Sequence, residues 1–374
     1  MSLDVQQRVA DAEPDLDPAP ELNPAAVEAF AERVFGLYTG GMVTYMIDVG
    51  YRTGLLESLA RGPATTEALA ARSGVVERYT REWLGALASA GIVTYDAASG
   101  TYALPAEHAA CLTGRGGANL APQSQITTLL ATFVPRVADA FRTGGGVPYA
   151  AYRPEFTDVM DGLSRGVLDD SLVPTILPLA GDLPARLAKG IRVVDIGCGT
   201  GHSTNLLAQH HPSSTFVGYD IAADALEQAR AEAAAWGLDN VTFEALDVGQ
   251  LPSDPAFGAV FAFDTIHDLV DPVGTVERVW HALAPGGTFV VYDVRASSDL
   301  EGNLDNPLAP FLYAVSTLHC MTVSLSEGGA GLGTAWGQQR ALAMLREAGF
   351  NGVEAHDLPD DPLNCVYVAH KPTT

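Results

Sequence analysis

The chain has 374 residues, 47% of them hydrophobic, with 45 Asp and Glu against 21 Lys and Arg for a formal net charge of −24 at pH 7. That length buries a sizeable core and predicts two domains, while so negative a surface repels phosphate backbones and anionic membranes, so neither nucleic acid nor membrane is an expected partner. Four scattered cysteines, Cys111, Cys198, Cys320 and Cys365, show no C-x-x-C spacing, which argues against a disulfide framework or structural zinc and for the reduced thiols of a cytoplasmic protein.

Residues 1–23 are rich in Asp, Glu and Pro and lack the apolar core of a signal peptide. An acidic, disordered arm is expected there. Residues 24 to about 60 read as helix, apolar enough to be mostly buried. PATTEALAARS (63–73) has Thr65 as N-cap and Gly74 as stop. The next helix, 76–90, sets Val76, Tyr79, Trp83, Leu87 and Ala90 on one stripe. GIVTYD and TYALP then flank AASG as a two-stranded hairpin. Helices followed by a hairpin predict a winged-helix domain over 24–116. Its third helix exposes Glu77, Arg78, Arg81 and Glu82, which cancel in charge, whereas a groove reader needs an excess of Arg, Lys, Asn or Gln. Dimerisation or covering of an active site is the expected role.

Residues 117–187 predict a helical connector. Inside it FRTGGGVPYAAYRPEF (141–156) makes a loop, with Tyr149 and Tyr152 as aromatic handles for a substrate wall if the loop is more than a linker. IRVVDIGCGTG (191–201) reads as a buried strand entering a tight turn, with Gly197, Gly199 and Gly201 letting backbone approach a ligand. The spacing is G-x-G-x-G, and His202 stands where a dinucleotide fingerprint wants its third glycine, so pyrophosphate is not the favoured ligand. TFVGYD (215–220) and VTFEALD (241–247) are further strands ending in an acid. Asp195, Asp220 and Asp247 therefore share one rim of an open parallel sheet, where doubly wound folds bind ligands.

AVFAFD (259–264) is a fourth strand. Asp271 and Pro272 open a helix expected to turn Val273, Val276, Trp280 and Leu283 inward, and GTFVVYDV (287–294) is a fifth strand. Residues 295–334 read as an irregular insertion. The helix QQRALAMLREAGF, stopped by Gly349, then leads to GVEAHDL and NCVYVAHK, close enough to pair as a hairpin with one antiparallel strand at the sheet edge.

On these residues the chain resembles the class I S-adenosylmethionine-dependent methyltransferases, whose first motif looks like VVDIGCGTG and whose later turn and strand look like LAPGGTFVVYD. The resemblance implies an α/β fold over 188–374: a Rossmann-like seven-stranded sheet, six strands parallel and one antiparallel. It also implies S-adenosyl-L-methionine as methyl donor and S-adenosyl-L-homocysteine as product. The cofactor site it implies comprises Asp195, Gly197, Gly199, Gly201, Asp220, Ile221, Asp247, Val248 and Phe263. Within it Asp220 binds the ribose hydroxyls, Asp247 the adenine amino group and the glycine turn the methionine part.

The stretch FDTIHDLVDP (263–272) is also similar to small-molecule O-methyltransferases with an N-terminal winged helix, whose catalytic base is the His of a His-Asp pair. That role falls on His267, an imidazole that ordinarily titrates near neutral pH, and the likeness implies a homodimer built through residues 24–90. Two departures stand out: Leu269 occupies a position usually held by Trp, and no second catalytic acid is identified. TREWLGAL, GGGVPY and STLHCM resemble motifs of uncharacterised bacterial winged-helix methyltransferases. His319, in the insertion, is a candidate to touch substrate. No cluster shows metal-ligand spacing, so no metal is expected. The expected function is methylation of a small organic acceptor at a hydroxyl oxygen. The rival is a winged-helix regulator that senses the cofactor without catalysis.

Overall fold

The computed structural model describes residues 22–114, 118–253, 255–359 and 361–374; the expected arm lies outside them except for its last two residues. In the N-terminal region, Thr65 caps the helix Thr66–Ser73 through its hydroxyl, and Gly74 ends it in a left-handed conformation. Strands β1 (Thr94–Asp96) and β2 (Thr101–Ala103) pair antiparallel as the expected wing.

The large sheet contains β3 (Arg192–Ile196), β4 (Thr215–Asp220), β5 (Val241–Ala245), β6 (Phe257–Phe263), β7 (Leu283–Val294), β8 (Asn351–Leu358) and β9 (Asp361–His370), in the order β5-β4-β3-β6-β7-β9-β8. All neighbours from β5 to β7 are parallel, and β9 is antiparallel to both β7 and β8. Six strands thus run one way and β9 the other. The antiparallel strand is not at the edge as expected, because β9 is inserted between β7 and β8. Its run from Cys365 to Ala369 is buried throughout, whereas β8 exposes Asn351, Glu354 and Asp357. A continuous apolar strand belongs inside a sheet, and a charged one shields an edge.

Helices cover both faces. Val276 and Val279 of Pro272–Ala282 and Ala341 and Leu345 of Gln338–Glu347 pack on Val194, Val260 and Phe289. On the opposite face Leu172, Leu187 and Leu207 pack on Val193, Phe261 and Val290. Strand order turns back between β3 and β6, which opens a crevice at their carboxyl ends.

Three expectations about burial fail, each for a packing reason. Helix Pro24–Arg52 is apolar, yet Phe30, Phe35, Leu37, Tyr38 and Met42 are each more than half exposed, because the helix extends past the body and packs through its C-terminal part, with Val43, Met46 and Ile47 on the core and Asp48 and Gly50 buried. In Glu77–Ser89 the buried stripe is Thr80, Trp83, Leu84 and Leu87, while Val76, Tyr79 and Ala90 are exposed; the Trp83 indole donates to the Met46 carbonyl at 2.7 Å and fixes that rotation. In Pro272–Ala282 the inward residues are Thr275, Val276, Val279 and Ala282, with Val273 exposed and Trp280 half-buried.

The segment 295–334 is not irregular either. It holds the short turn Leu300–Asn303 and the helices Ala309–Leu318 and Cys320–Ser326. Val315, Leu318 and Val323 pack against the connector's Tyr152, Phe156 and Val159. A helix contacted on several sides carries no polar stripe, and its periodicity is hard to see in sequence.

Candidate active site

The crevice holds a cavity of about 610 Å³. Its floor is the turn after β3, which adopts positive φ at Gly197 (70°) and Gly199 (52°), and a Cβ at 197 would run into Thr265. Gly197 and Cys198 N–H groups donate to the Tyr219 carbonyl at 2.7 and 3.0 Å, locking the turn to β4. At the end of β4, Asp220 accepts from Gly199 N at 2.8 Å and from Ala222 N at 2.8 Å. Burial raises its pKa and those backbone donors oppose the rise. Asp247, past the end of β5, accepts from Gly249 N at 2.8 Å.

Seven of the nine expected cofactor residues line the cavity: Gly197, Gly199, Asp220, Ile221, Asp247, Val248 and Phe263. Asp195 and Gly201 do not. Asp195 lies under the turn and accepts from the Ser203 and Thr204 hydroxyls at 2.9 and 2.7 Å, tying β3 to the helix His202–His210. Burial pushes its pKa up to about 7. Gly201 makes room for a neighbouring helix and strand, since a Cβ there would strike Ala229 and Phe243.

His267 sits in the single turn Ile266–Asp268 directly after β6 and is 4% exposed. Its Nδ1 lies 2.6 Å from Asp293 Oδ1, and Asp293 is fully buried at the end of β7. That oxygen also accepts from Val294 N at 2.7 Å and Trp336 Nε1 at 3.3 Å. With Nδ1 directed at Asp293, Nε2 lies 3.3 Å from Asp268 Oδ1, an ion pair that favours a proton on Nε2 and leaves that nitrogen free to accept only once the proton has left. Burial alone lowers the His267 pKa, but the Asp293 and Asp268 carboxylates outweigh it and hold the imidazole well above its usual value. Asp293 is a buried acid beside His267 that no motif in the sequence singles out. The available signal was the pattern already used at β3 and β4, a strand ending in a carboxylate.

Asp264 closes β6 with φ 49°, the single non-glycine residue at positive φ among the described residues. It lines the cavity, and its buried Oδ1 has no hydrogen-bond partner. Burial and the nearby Asp293 raise its pKa. Cys320 lies within 4.8 Å of His267 and Asp268, a grouping of metal-ligating type. Burial pushes its thiol up to about 11, and Thr334 Oγ1 donates to Sγ at 3.0 Å. At neutral pH the group is a packed thiol.

The wall opposite the sheet comes from the connector helix Glu155–Ser171 and the insertion helices. Tyr149 lines it. Tyr152 and His319 do not reach the cavity. The Tyr152 hydroxyl donates to the Leu318 carbonyl at 2.6 Å and its ring stacks on Phe133. His319 is fully buried, stacked on Phe156 at 3.6 Å, with its pKa pushed down to about 4 by burial. Both tie the glycine-rich loop to the insertion.

A second link escapes the sequence reading. Asp161 of the connector accepts from Thr200 Oγ1 at 2.6 Å and Arg165 Nε lies 2.9 Å from the same carboxylate. His202 spans Asp169 (2.9 Å) and Glu232 (3.1 Å). Burial would raise the Glu232 pKa, but His202, Asn205 and Arg165 hold it down at about 2. The residue in place of a third glycine thus fastens the connector helix to the cofactor turn.

Residues 187–349 match the family described as a methyltransferase domain, and residues 41–114 match the Rv2258c-like winged HTH domain. A trans-aconitate 2-methyltransferase of Methylobacterium nodulans is 35% identical over 130 residues, 34% of this chain and 46% of that protein. The chain spans less than half the length of the first curated relatives it matches. Among solved structures, human N-acetylserotonin methyltransferase in complex with S-adenosylmethionine superposes with TM-score 0.67 at 19% identity, covering 95% of this chain and 100% of that one. An O-methyltransferase family protein of Burkholderia thailandensis gives 0.65 at 17% identity, covering 94% and 99%. At such identities the likeness is one of fold. No helix among the described residues is long and apolar enough to cross a membrane.

Proposed function

We propose that this chain, a winged helix-turn-helix domain joined to a methyltransferase domain, moves a methyl group from S-adenosyl-L-methionine to a hydroxyl oxygen of a small organic acceptor, with His267 as general base. The observation that carries this reading is the buried His267–Asp293 pair on the wall of the cavity that the glycine turn floors. The cavity suits the cofactor: Gly197 and Gly199 leave backbone room for the methionine part, Asp220 and Asp247 offer acceptors for ribose and adenine amino group, and Ile221, Val248 and Phe263 supply apolar walls. When bound, that cofactor supplies an electrophilic methyl group on a sulfonium.

The chain's own work is then to align the acceptor, exclude water and take one proton. Nε2 of His267 accepts the hydroxyl proton while Asp293 keeps the ring oriented and balances the imidazolium. No metal enters this reading. Residues 24–116 serve dimerisation and cover, 117–187 supply the opposite wall, and a second copy in a homodimer covers the exposed apolar residues of Pro24–Arg52. Reduced, scattered cysteines fit a cytoplasmic setting.

The winged HTH match favours a second reading, a cofactor-sensing regulator. Against it, the surface arginines of Glu77–Ser89 are already paired, Arg78 with Glu82 at 2.6 Å and Arg81 with Glu77 at 2.7 Å. Calorimetry with S-adenosylhomocysteine is expected to give one site per chain, lost in Asp220→Ala and kept in His267→Ala. In an assay of S-adenosylhomocysteine release over a panel of phenols, His267→Ala is expected to lose about 10²–10⁴-fold in kcat. Unchanged turnover in that variant removes the base, and salt-sensitive retention on duplex DNA revives the regulator.

A further inference from the structure

Beyond Asp264 and Thr265 the cavity is bounded by the His267 turn, by Phe311, Val315 and Val323 of the insertion, and by Leu363 beside β7. Its body is apolar, but its charge is one-sided. Asp264, Asp268, Glu327 and Asp361 face it, and Arg278 is the one Lys or Arg among the described lining residues. The Arg278 guanidinium is engaged with the Gly274 carbonyl at 3.0 Å. Asp361 is committed to the Tyr292 hydroxyl and to Asn364.

Asp264 is not committed. It stands in a backbone conformation that non-glycine residues rarely adopt, and such strain persists where the surrounding fold imposes it, often at ligand sites. Its sealed Oδ1 has no partner within the protein. Burial and Asp293 oppose ionisation of this carboxyl, and once ionised it is an acceptor only, so the partner that would hold it ionised is a cationic donor. A protonated amine offers up to three N–H donors together with the opposite charge. The chain's net charge of −24 draws cations toward the crevice and repels polyanions.

Resting on the reading above, we infer that the acceptor is an amphipathic hydroxylated amine, whose ammonium group docks on Asp264 while its hydroxyl faces His267, and that polycarboxylates are rejected. The curated relatives are named for trans-aconitate, a tricarboxylate; a wall with one arginine set against Asp264, Asp268, Glu327 and Asp361 carries a net charge that opposes such a molecule.

The test uses the full chain loaded with S-adenosylhomocysteine and four probes: tyramine, 4-ethylphenol, 3-(4-hydroxyphenyl)propionate and trans-aconitate. Calorimetry is expected to show tyramine binding at least about 10-fold tighter than 4-ethylphenol, the scale of one charge-assisted hydrogen bond. Its affinity falls with added salt, and the two carboxylates show no binding. Asp264→Asn is expected to erase the tyramine preference. If that variant also loses S-adenosylhomocysteine, Asp268→Asn supplies the readout through a partial loss of the preference. Tyramine binding no tighter than 4-ethylphenol, a carboxylate binding as well as the amine, or a preference intact in both variants overturns the inference. Failure to bind S-adenosylhomocysteine at all overturns the underlying function instead, so the two failures are separable.

Discussion

The floor of the cavity and its far wall hold their ligand-facing groups in different ways. On the floor, between residues 197 and 248, backbone N–H groups grip the side chains: Gly199 and Ala222 hold Asp220, and Gly249 holds Asp247. At the far wall, side chains from β6, β7 and the insertion hold one another, and Asp264 Oδ1 is held by nothing. The floor is thus held by backbone donors at the ends of the sequentially adjacent strands β3, β4 and β5, whereas the far wall depends on side chains brought together from β6, β7 and the distant insertion. Changes to the floor should act on cofactor affinity, and changes to the far wall on turnover.

The sharpest break falls at the far wall. Asp293→Asn keeps the shape of the site but loses the carboxylate that orients and stabilises the imidazolium, and kcat is expected to fall roughly 10²-fold or more with S-adenosylhomocysteine affinity unchanged. The pH profile sharpens the point. Burial lowers the His267 pKa, but Asp293 and Asp268, with Cys320 and Asp264 also nearby, raise it further than burial lowers it. The base is therefore freed only as pH climbs into the alkaline range, and wild-type kcat should rise with pH there. Removing the Asp293 charge shifts that limb toward acid. A limb that stays put in Asp293→Asn would mean another group titrates.

At the floor, Gly197→Ala places a Cβ against Thr265 in a left-handed backbone, a strain of about 1–3 kcal/mol. Calorimetry should show it as weakened S-adenosylhomocysteine binding, with kcat at saturation little changed. Gly201→Ala strikes Ala229 and Phe243 instead, so its cost should appear first in denaturant midpoint. Equal effects of the two substitutions on cofactor affinity would erase the distinction between a ligand-facing and a packing glycine.

The same division explains what was legible in the sequence. A contiguous G-x-G-x-G after a β-branched strand announces itself, and the acids at the ends of β4 and β5 follow by spacing. Asp293 was written in the same strand-end pattern, but its partnership with His267 depends on the β6–β7 register that sets Phe263 beside Tyr292. The Asp161–Arg165–His202–Glu232 link joins three separate helices, and no local spacing brings them together. Apolar composition made Pro24–Arg52 read as mostly buried, and it is not, because composition does not say which neighbours a helix meets. Tyr152 and His319 had suitable residue types on a suitable loop and insertion, and type does not fix direction.

Tyr152 carries the smallest effect and tests that last point. Its hydroxyl donates to the Leu318 carbonyl and its ring stacks on Phe133, both away from the cavity. Tyr152→Phe keeps the stack and loses one buried hydrogen bond, so stability should drop by about 1 kcal/mol in a denaturant titration. Neither kcat nor acceptor KM should move. Tyr149 lines the cavity, and its hydroxyl comes no nearer than 3.5 Å to Thr157 Oγ1, long for a hydrogen bond, so Tyr149→Phe should leave stability nearly untouched and alter acceptor KM. Were the two results exchanged, the glycine-rich loop would have to present Tyr152 to the acceptor in the working enzyme. The far wall would then be set by a loop rearrangement and not by the packed register of strands and helices.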